Sequence, residues 1–270
     1  MSSEIALDQR SNDLRKVIVE TMIAGNRGHL APALSLVEMI RVLYDDILKY
    51  DPNNPQWEKR DRFILSKGHG CMALYAVLAD KGFFHEEELW KFCKKDGILG
   101  GHPERGKTPG VEASTGSLGH GLSIGIGFAI NARYENSDHR VFVIIGDGES
   151  GEGSIWEGAL CAGKHQLDNL TVLIDYNKQQ SYDSVANVSK MEHLSDKWKS
   201  FGWNVKVING HNHNQLYKNL KKKYLKPTVI IANTIKGKGV SFMEDDNNWH
   251  YRIPTIEEVR KAKKELGIEK

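Results

Sequence analysis

The chain has 270 residues, 40% of them hydrophobic and 27% charged, with a formal net charge of +2. That composition excludes collagen-like, disordered and disulfide-scaffold proteins. The near balance of 37 basic and 35 acidic residues leaves no general field for nucleic acid or an anionic membrane, so partners must be sought in local sites.

The length allows one large α/β domain or two small ones, enough to bury a core and house an enzyme. The three cysteines, Cys71, Cys93 and Cys161, are far apart and form no CxxC pair, which fits a reducing compartment. No apolar signal segment opens the chain, and Gly121 to Ile130 is only about half a membrane span. A cytoplasmic protein is expected.

In chain order, Leu14, Val17, Ile18, Thr21 and Met22 recur at helical spacing between Asp8 and Ala24, with Gly25 as a stop. A second helix is expected from about Ala33 to Leu48, followed by a loop with Pro52 and Pro55. Arg62 to Ser66 reads as a strand and Met72 to Lys81 as a helix. Strands are then expected at Val141 to Ile145, Leu170 to Ile174, Trp203 to Ile208 and Thr228 to Ala232. Helices are expected at Ser154 to His165, Met191 to Phe201 and Asn212 to Tyr224. The basic run Lys218 to Lys226 falls on the last of these and reads as a solvated helix face.

Continuously apolar strands alternating with helices suit a sheet buried on both faces. The expected class is α/β: a doubly wound, mostly parallel sheet flanked by helices, forming a single domain over residues 1–270 with an irregular tail from about 237. In such sheets ligands bind beyond the carboxyl ends of the strands.

Gly146-Asp147-Gly148-Glu149 stands at one such end. Alone, Asp-Gly is a common turn dipeptide. One strand–loop–helix–strand unit later comes Asp175-Tyr176-Asn177-Lys178-Gln179, which neighbouring parallel strands would bring beside it. A carboxylate, an amide oxygen and a backbone carbonyl, completed by diphosphate oxygens and water, give the hard oxygen shell that magnesium prefers. This pair resembles the thiamine diphosphate motif.

The resemblance extends along the chain. Ser66 to Gly70 (SKGHG), Gly101 to Glu104 (GHPE), Thr108 to Gly121 (TPGVEASTGSLGHG), Gly146 to Glu157 (GDGESGEGSIWE) and Asn233 to His250 (NTIKGKGVSFMEDDNNWH), with Arg27-Gly28-His29, are similar to the transketolase family in the same order.

By that resemblance Asp147 and Asn177 are ligands of magnesium (or calcium or manganese), with the backbone carbonyl of Gln179. Thiamine diphosphate would meet Gly148, Glu149, Asn177 and the turn Gly116-Ser117-Leu118. His69 and His250 would lie at its diphosphate end, His29 and His102 at the thiazolium and the sugar hydroxyls, and these four form the catalytic set. Glu152 and Glu157 resemble an acidic pair linking two active sites across a dimer.

His29, His69 and His102 each follow a glycine in a loop, where functional side chains concentrate. His85, His139, His193, His211 and His213 read as structural or solvent-facing. Gly121 and Gly125 read equally well as small-residue helix packing, and the two glutamates as acids favouring a helix N-terminus.

Transketolases carry a further pyrimidine-binding domain whose carboxylate promotes ylide formation, and this sequence stops before any such domain. The expectation is therefore the N-terminal subunit of a split transketolase, completed by a C-terminal subunit in an α2β2 assembly, acting on sugar phosphates and on neither nucleic acid nor membrane. Gln180 to Ser184 stands where relatives have a more apolar segment, so substrate preference should differ. Two other readings stay open: a component of a related thiamine diphosphate transferase or synthase for an unusual sugar, and a non-catalytic module retaining the fold. Intact Asp147, Asn177, His69 and His102 argue against the latter.

Overall fold

A computed structural model describes residues 7–268. Strand β1 (Arg62–Leu65), β2 (Val141–Gly146), β3 (Leu170–Tyr176), the two-residue strands β4 (Gln179–Gln180) and β5 (Asp183–Ser184), then β6 (Asn204–Asn209) and β7 (Thr228–Asn233) follow in chain order. Five of them form one sheet in the order β1-β2-β3-β7-β6, every neighbour parallel. The strands β4 and β5 pair separately as a small antiparallel hairpin.

Alternate residues of the central strands enter two different cores, which is why these strands read as unbroken apolar runs. Phe142, Ile144, Leu173 and Ile230 face one layer. Val141, Val143, Ile145, Val172, Ile174, Val229 and Ile231 face the other. The first layer holds α1 (Gln9–Gly25), α2 (Leu30–Leu34), α3 (Val37–Val42) and α4 (Cys71–Asp80). The second holds α5 (His120–Tyr134), α6 (Gly153–Lys164) and, beyond the short α7 (Val185–Val188), α8 (Leu194–Ser200). Helix α9 (His213–Lys221) returns to the first layer, where Leu216 and Leu220 are buried while Lys218 and Lys221 stand on its polar side. The expected doubly wound sheet is present.

Helix α1 starts where Asp8 accepts from the Ser11 backbone N–H and ends where Asn26 adopts a left-handed conformation, as its spacing and flanking residues suggest. The second expected helix is different. It begins earlier, at Leu30, and breaks at Ser35 and Leu36 before α3, which runs on into a π turn at Leu43–Ile47. Ser35 Oγ lies 2.7 Å from Asp175 Oδ2, a tertiary contact at the break that apolar spacing cannot register.

The tail is irregular from 237 to 254 apart from a short turn at Asn247–Trp249, then forms α10 (Ile256–Glu265). A reciprocal capping box of Thr255 and Glu258 starts that helix, and only Ala262 and Leu266 of it and its cap reach the core. So little apolar periodicity leaves this helix without a sequence signal, and the expectation of an irregular tail is corrected there. Helix packing holds for Gly125, where a Cβ would lie 2.5 Å from Val143. Among the described residues no helix is long and apolar enough to cross a membrane.

Candidate active site

The carboxyl ends of β1, β2, β3 and β7 converge on a pocket of about 350 Å³. At its base Asp175, fully buried at the end of β3, receives Lys67 Nζ at 2.5 Å, Ser35 Oγ at 2.7 Å and Asn177 Nδ2 at 3.2 Å, together with the Thr234 hydroxyl. One carboxylate thus ties the segments after β1, β3 and β7 to the α2–α3 break. Burial alone would raise the Asp175 carboxyl, but the Lys67 ammonium holds it below its ordinary value.

Asp147 follows β2 and lies next in register to Asp175. Its Oδ1 accepts from the Gly148 N–H at 2.7 Å and its Oδ2 from the Lys178 N–H, which places it against the Asn177 turn. Asn177 Oδ1 is likewise fixed by the Gln179 N–H at 3.0 Å. Burial, and then the like charge of Asp175, push the Asp147 carboxyl up to about 7. An acid so placed lacks a cation.

The described residues hold no cluster of three His, Cys, Asp or Glu that would make a protein-only metal site. One carboxylate and one amide oxygen at a strand edge instead fit a magnesium-type cation that keeps waters and phosphate oxygens. The buried Gln179 Oε1 and His250 Nδ1 are further polar atoms with no partner within the protein. The donor set fits a cation–diphosphate group.

Four histidines close the other side. His29 caps α2 from the loop after α1, His69 sits in the turn before α4, His102 in the long loop before α5, and His250 after the turn in the tail. The His29 ring centroid lies 5.2 Å from that of His69, 5.3 Å from His250 and 6.2 Å from His102; His69 and His250 are 5.4 Å apart.

Burial drives each of them down. His29 falls to about 4, with His102, Lys67 and Lys236 adding repulsion, and His250 to about 3, helped by Lys236 and His29. His69 lies well below its ordinary value and His102 is lowered too. All four rings are therefore neutral near pH 7, each with one N–H to donate and one nitrogen to accept.

Gly116 borders the pocket with a φ of 144°, and a Cβ there would lie 3.1 Å from the His102 ring, so only glycine lets the backbone approach. Leu118, Gly148, Gln179 and Asn177 also line the pocket; Ser117 is not on its wall. Glu149 lines it, but its oxygens take Ser66 Oγ at 2.5 Å, the Gly119 N–H at 2.9 Å and the Gly146 N–H at 3.0 Å. It braces the loops rather than offering a free carboxylate. Glu152 reaches the rim, whereas Glu157 is exposed on α6.

Sequence reasoning missed Lys67 and Lys236, both buried in the pocket wall. Lys236 Nζ donates to Asn247 Oδ1 at 3.0 Å, an amide that does not neutralise it, and burial with Lys67 nearby lowers it to about 8. A basic residue directly beyond an apolar strand and beside a glycine was the available signal. The Tyr251 ring, 4.7 Å from His29, was missed as well, as were Pro32, Gln180 and Ser181 on the pocket wall.

Residues 7–270 match the family described as transketolase, thiamine diphosphate binding domain. One of the two chains of the apulose-4-phosphate transketolase of Phocaeicola vulgatus is 39% identical over 97% of this chain and 94% of its own length. A 6-deoxy-6-sulfo-D-fructose transketolase subunit of a Clostridium species is 41% identical over 96% and 95%. Among solved structures, the Campylobacter jejuni transketolase superposes with a TM-score of 0.90 at 32% identity, over 96% of this chain but only 42% of that one. The chain therefore belongs to the transketolase family, in which it corresponds to the thiamine diphosphate-binding domain.

Proposed function

We propose that this chain is the N-terminal subunit of a split transketolase, one diphosphate-binding domain over residues 1–270. With a separate C-terminal subunit in an α2β2 assembly in the cytoplasm, it moves a two-carbon ketol unit from a ketose phosphate to an aldose phosphate. The observation that carries this reading is the buried Asp147, poised without a cation beside Asn177, facing four neutral histidines across one pocket. The two relatives named as subunits, matched over nearly their whole length, support the division into two chains.

Thiamine diphosphate, when bound, supplies the electron sink for cleaving a carbon–carbon bond beside a carbonyl. Asp147, Asn177 Oδ1 and the Gln179 backbone carbonyl hold magnesium, or calcium or manganese in its place. Gly148 and Glu149 bring backbone to the diphosphate, with His69, His250 and the Lys236 ammonium on the same side. Gly116 and Leu118, with Ser117 between them, give the ring a wall that backbone can approach closely. His29 and His102 face the sugar, where neutral imidazoles pass protons to and from hydroxyls.

The hairpin β4–β5 places Gln180 and Ser181 on the pocket wall, with the Gln180 side chain against Gly148. These two relatives are named for different sugars, and this hairpin is where we place part of the choice of sugar. The test is co-expression with the candidate C-terminal subunit, followed by a ketose and aldose panel with thiamine diphosphate and magnesium. Transfer from at least one ketose is expected, with none by the isolated chain. Turnover by the isolated chain, or failure of every ketose, overturns the reading.

A further inference from the structure

His211, in the turn between β6 and α9, belongs to a buried chain of contacts that the cofactor machinery does not include. Its Nδ1 lies 2.8 Å from Glu38 Oε2 on α3, and its Nε2 accepts the Ile235 backbone N–H at 2.9 Å. Accepting from an amide requires a bare Nε2, so the ring proton sits on Nδ1 and is donated to Glu38. Glu38 is held as an anion by Arg15, whose NH1 and NH2 lie 2.6 and 2.9 Å from its two oxygens. The Arg15 Nε donates in turn to the Lys238 carbonyl at 2.7 Å. The Gly237 N–H donates to the Ala31 carbonyl at 3.1 Å.

The backbone of 235–238 is thus gripped at three points: by His211 at Ile235, by α2 at Gly237 and by Arg15 of α1 at Lys238. Between the first two grips stands Lys236, in the pocket wall. Ala31 and the Leu34 carbonyl, which Arg15 NH2 also holds at 3.1 Å, belong to the helix that His29 caps. One buried unit therefore fixes both the lysine and the histidine sides of the pocket.

We propose that His211 is a positioning residue: through the Ile235 N–H it sets Lys236 against the ligand, while Glu38 and Arg15 fix its tautomer. The inference rests on the reading above that Lys236 faces the cofactor's diphosphate. Groups that orient a ligand-binding side chain commonly affect binding about 10–100-fold.

Two isosteric changes separate positioning from bulk stability. In His211→Gln the amide oxygen can reach the place of Nε2 and accept from Ile235, but the donor to Glu38 is lost. In His211→Asn the donor to Glu38 can be kept, but nothing accepts from Ile235. Each variant, as the full chain assembled with its partner, is titrated with thiamine diphosphate and magnesium; its thermal midpoint and amide hydrogen exchange over 234–238 are recorded.

His211→Asn should expose the Ile235 amide to exchange and weaken cofactor binding about tenfold, while His211→Gln stays close to the parent in both. Ile235→Pro removes the donor from the other side and should reproduce the His211→Asn loss, even if that variant folds poorly. Unchanged binding in His211→Asn, or equal losses in both variants tracking equal falls in thermal midpoint, would overturn the proposal. Lys236→Met separates the underlying reading: if it binds cofactor as the parent does, the assignment of Lys236 fails, whereas the exchange data still report the grip.

Discussion

Glu38 and Asp147 are each 2% exposed, yet the fold pushes their ionisations in opposite directions. Burial raises both. At Glu38, Arg15 and then His211 more than offset that cost and hold the carboxyl well below its ordinary value. At Asp147 the nearest charge is another acid, Asp175, so the carboxyl rises to about 7. The helical layer completes its own charge balance; the strand edge leaves a negative site to be completed from outside. That asymmetry marks where the chain binds something, since a buried group shifted by burial plus a specific neighbour in a cleft is a functional candidate.

The largest effect is expected on the closed side. Glu38→Ala strands the fully buried Arg15 guanidinium, and removing one member of a buried ion pair costs about 3–5 kcal/mol. Urea unfolding of the full chain should show a loss of that order. A loss below about 1 kcal/mol would mean that the Arg15–Glu38 contact does not carry the layer.

On the open side the order of sensitivity should reverse. Asp147→Asn removes the like-charge repulsion with Asp175 while forfeiting one backbone N–H acceptor, so stability should change by about 1 kcal/mol or less. Magnesium-dependent binding of thiamine diphosphate by the assembled protein should fall at least tenfold. If Asp147→Asn unfolds the chain as Glu38→Ala does, Asp147 is a structural acid and the contrast disappears.

The two sides were also unequally legible in the sequence. Asp147 and Asn177 stand directly beyond apolar strands whose parallel pairing could be read from their lack of a polar face, so their meeting was expected. Glu38 lies between Val37 and Met39 in what looks like an ordinary helix. Its partners Arg15 and His211 come from α1 and the β6–α9 turn, and nothing in the local pattern joins them. His211 read as structural or solvent-facing, and the structure makes it a buried link.

The break at Ser35 was hidden for a similar reason: its companion, Asp175, lies across the sheet edge. The histidine quartet was legible only through the resemblance, because its four members come from four separate loops. Contacts set by topology alone, such as Lys236 at the end of β7, need the sheet order before they can be seen.

The smallest predicted effect concerns acid, and it separates the two carboxylates by sign. Glu38, whose ordinary value is 4.5, is lowered in the native state. Its stabilising contribution is therefore complete above about pH 4.5 and is lost as pH falls from there toward its native value. Asp147, ordinarily 3.8, is raised to about 7. Between those values the folded chain holds a proton that the unfolded chain has released, so stability from this site falls as pH rises from about 4 to 7. In chelator-treated protein, acidifying from pH 7 toward pH 5 should thus stabilise the parent relative to Asp147→Asn, by up to about 1.4 kcal/mol per pH unit for one full proton. Urea midpoints of the two proteins at pH 7.5, 6.5 and 5.5 measure that difference, and titrations shared by both cancel in it. Glu38 stays ionised throughout this window and contributes nothing to the trend. A parent–variant difference that is flat with pH would show that Asp147 is not raised, and that the strand edge is already balanced within the chain.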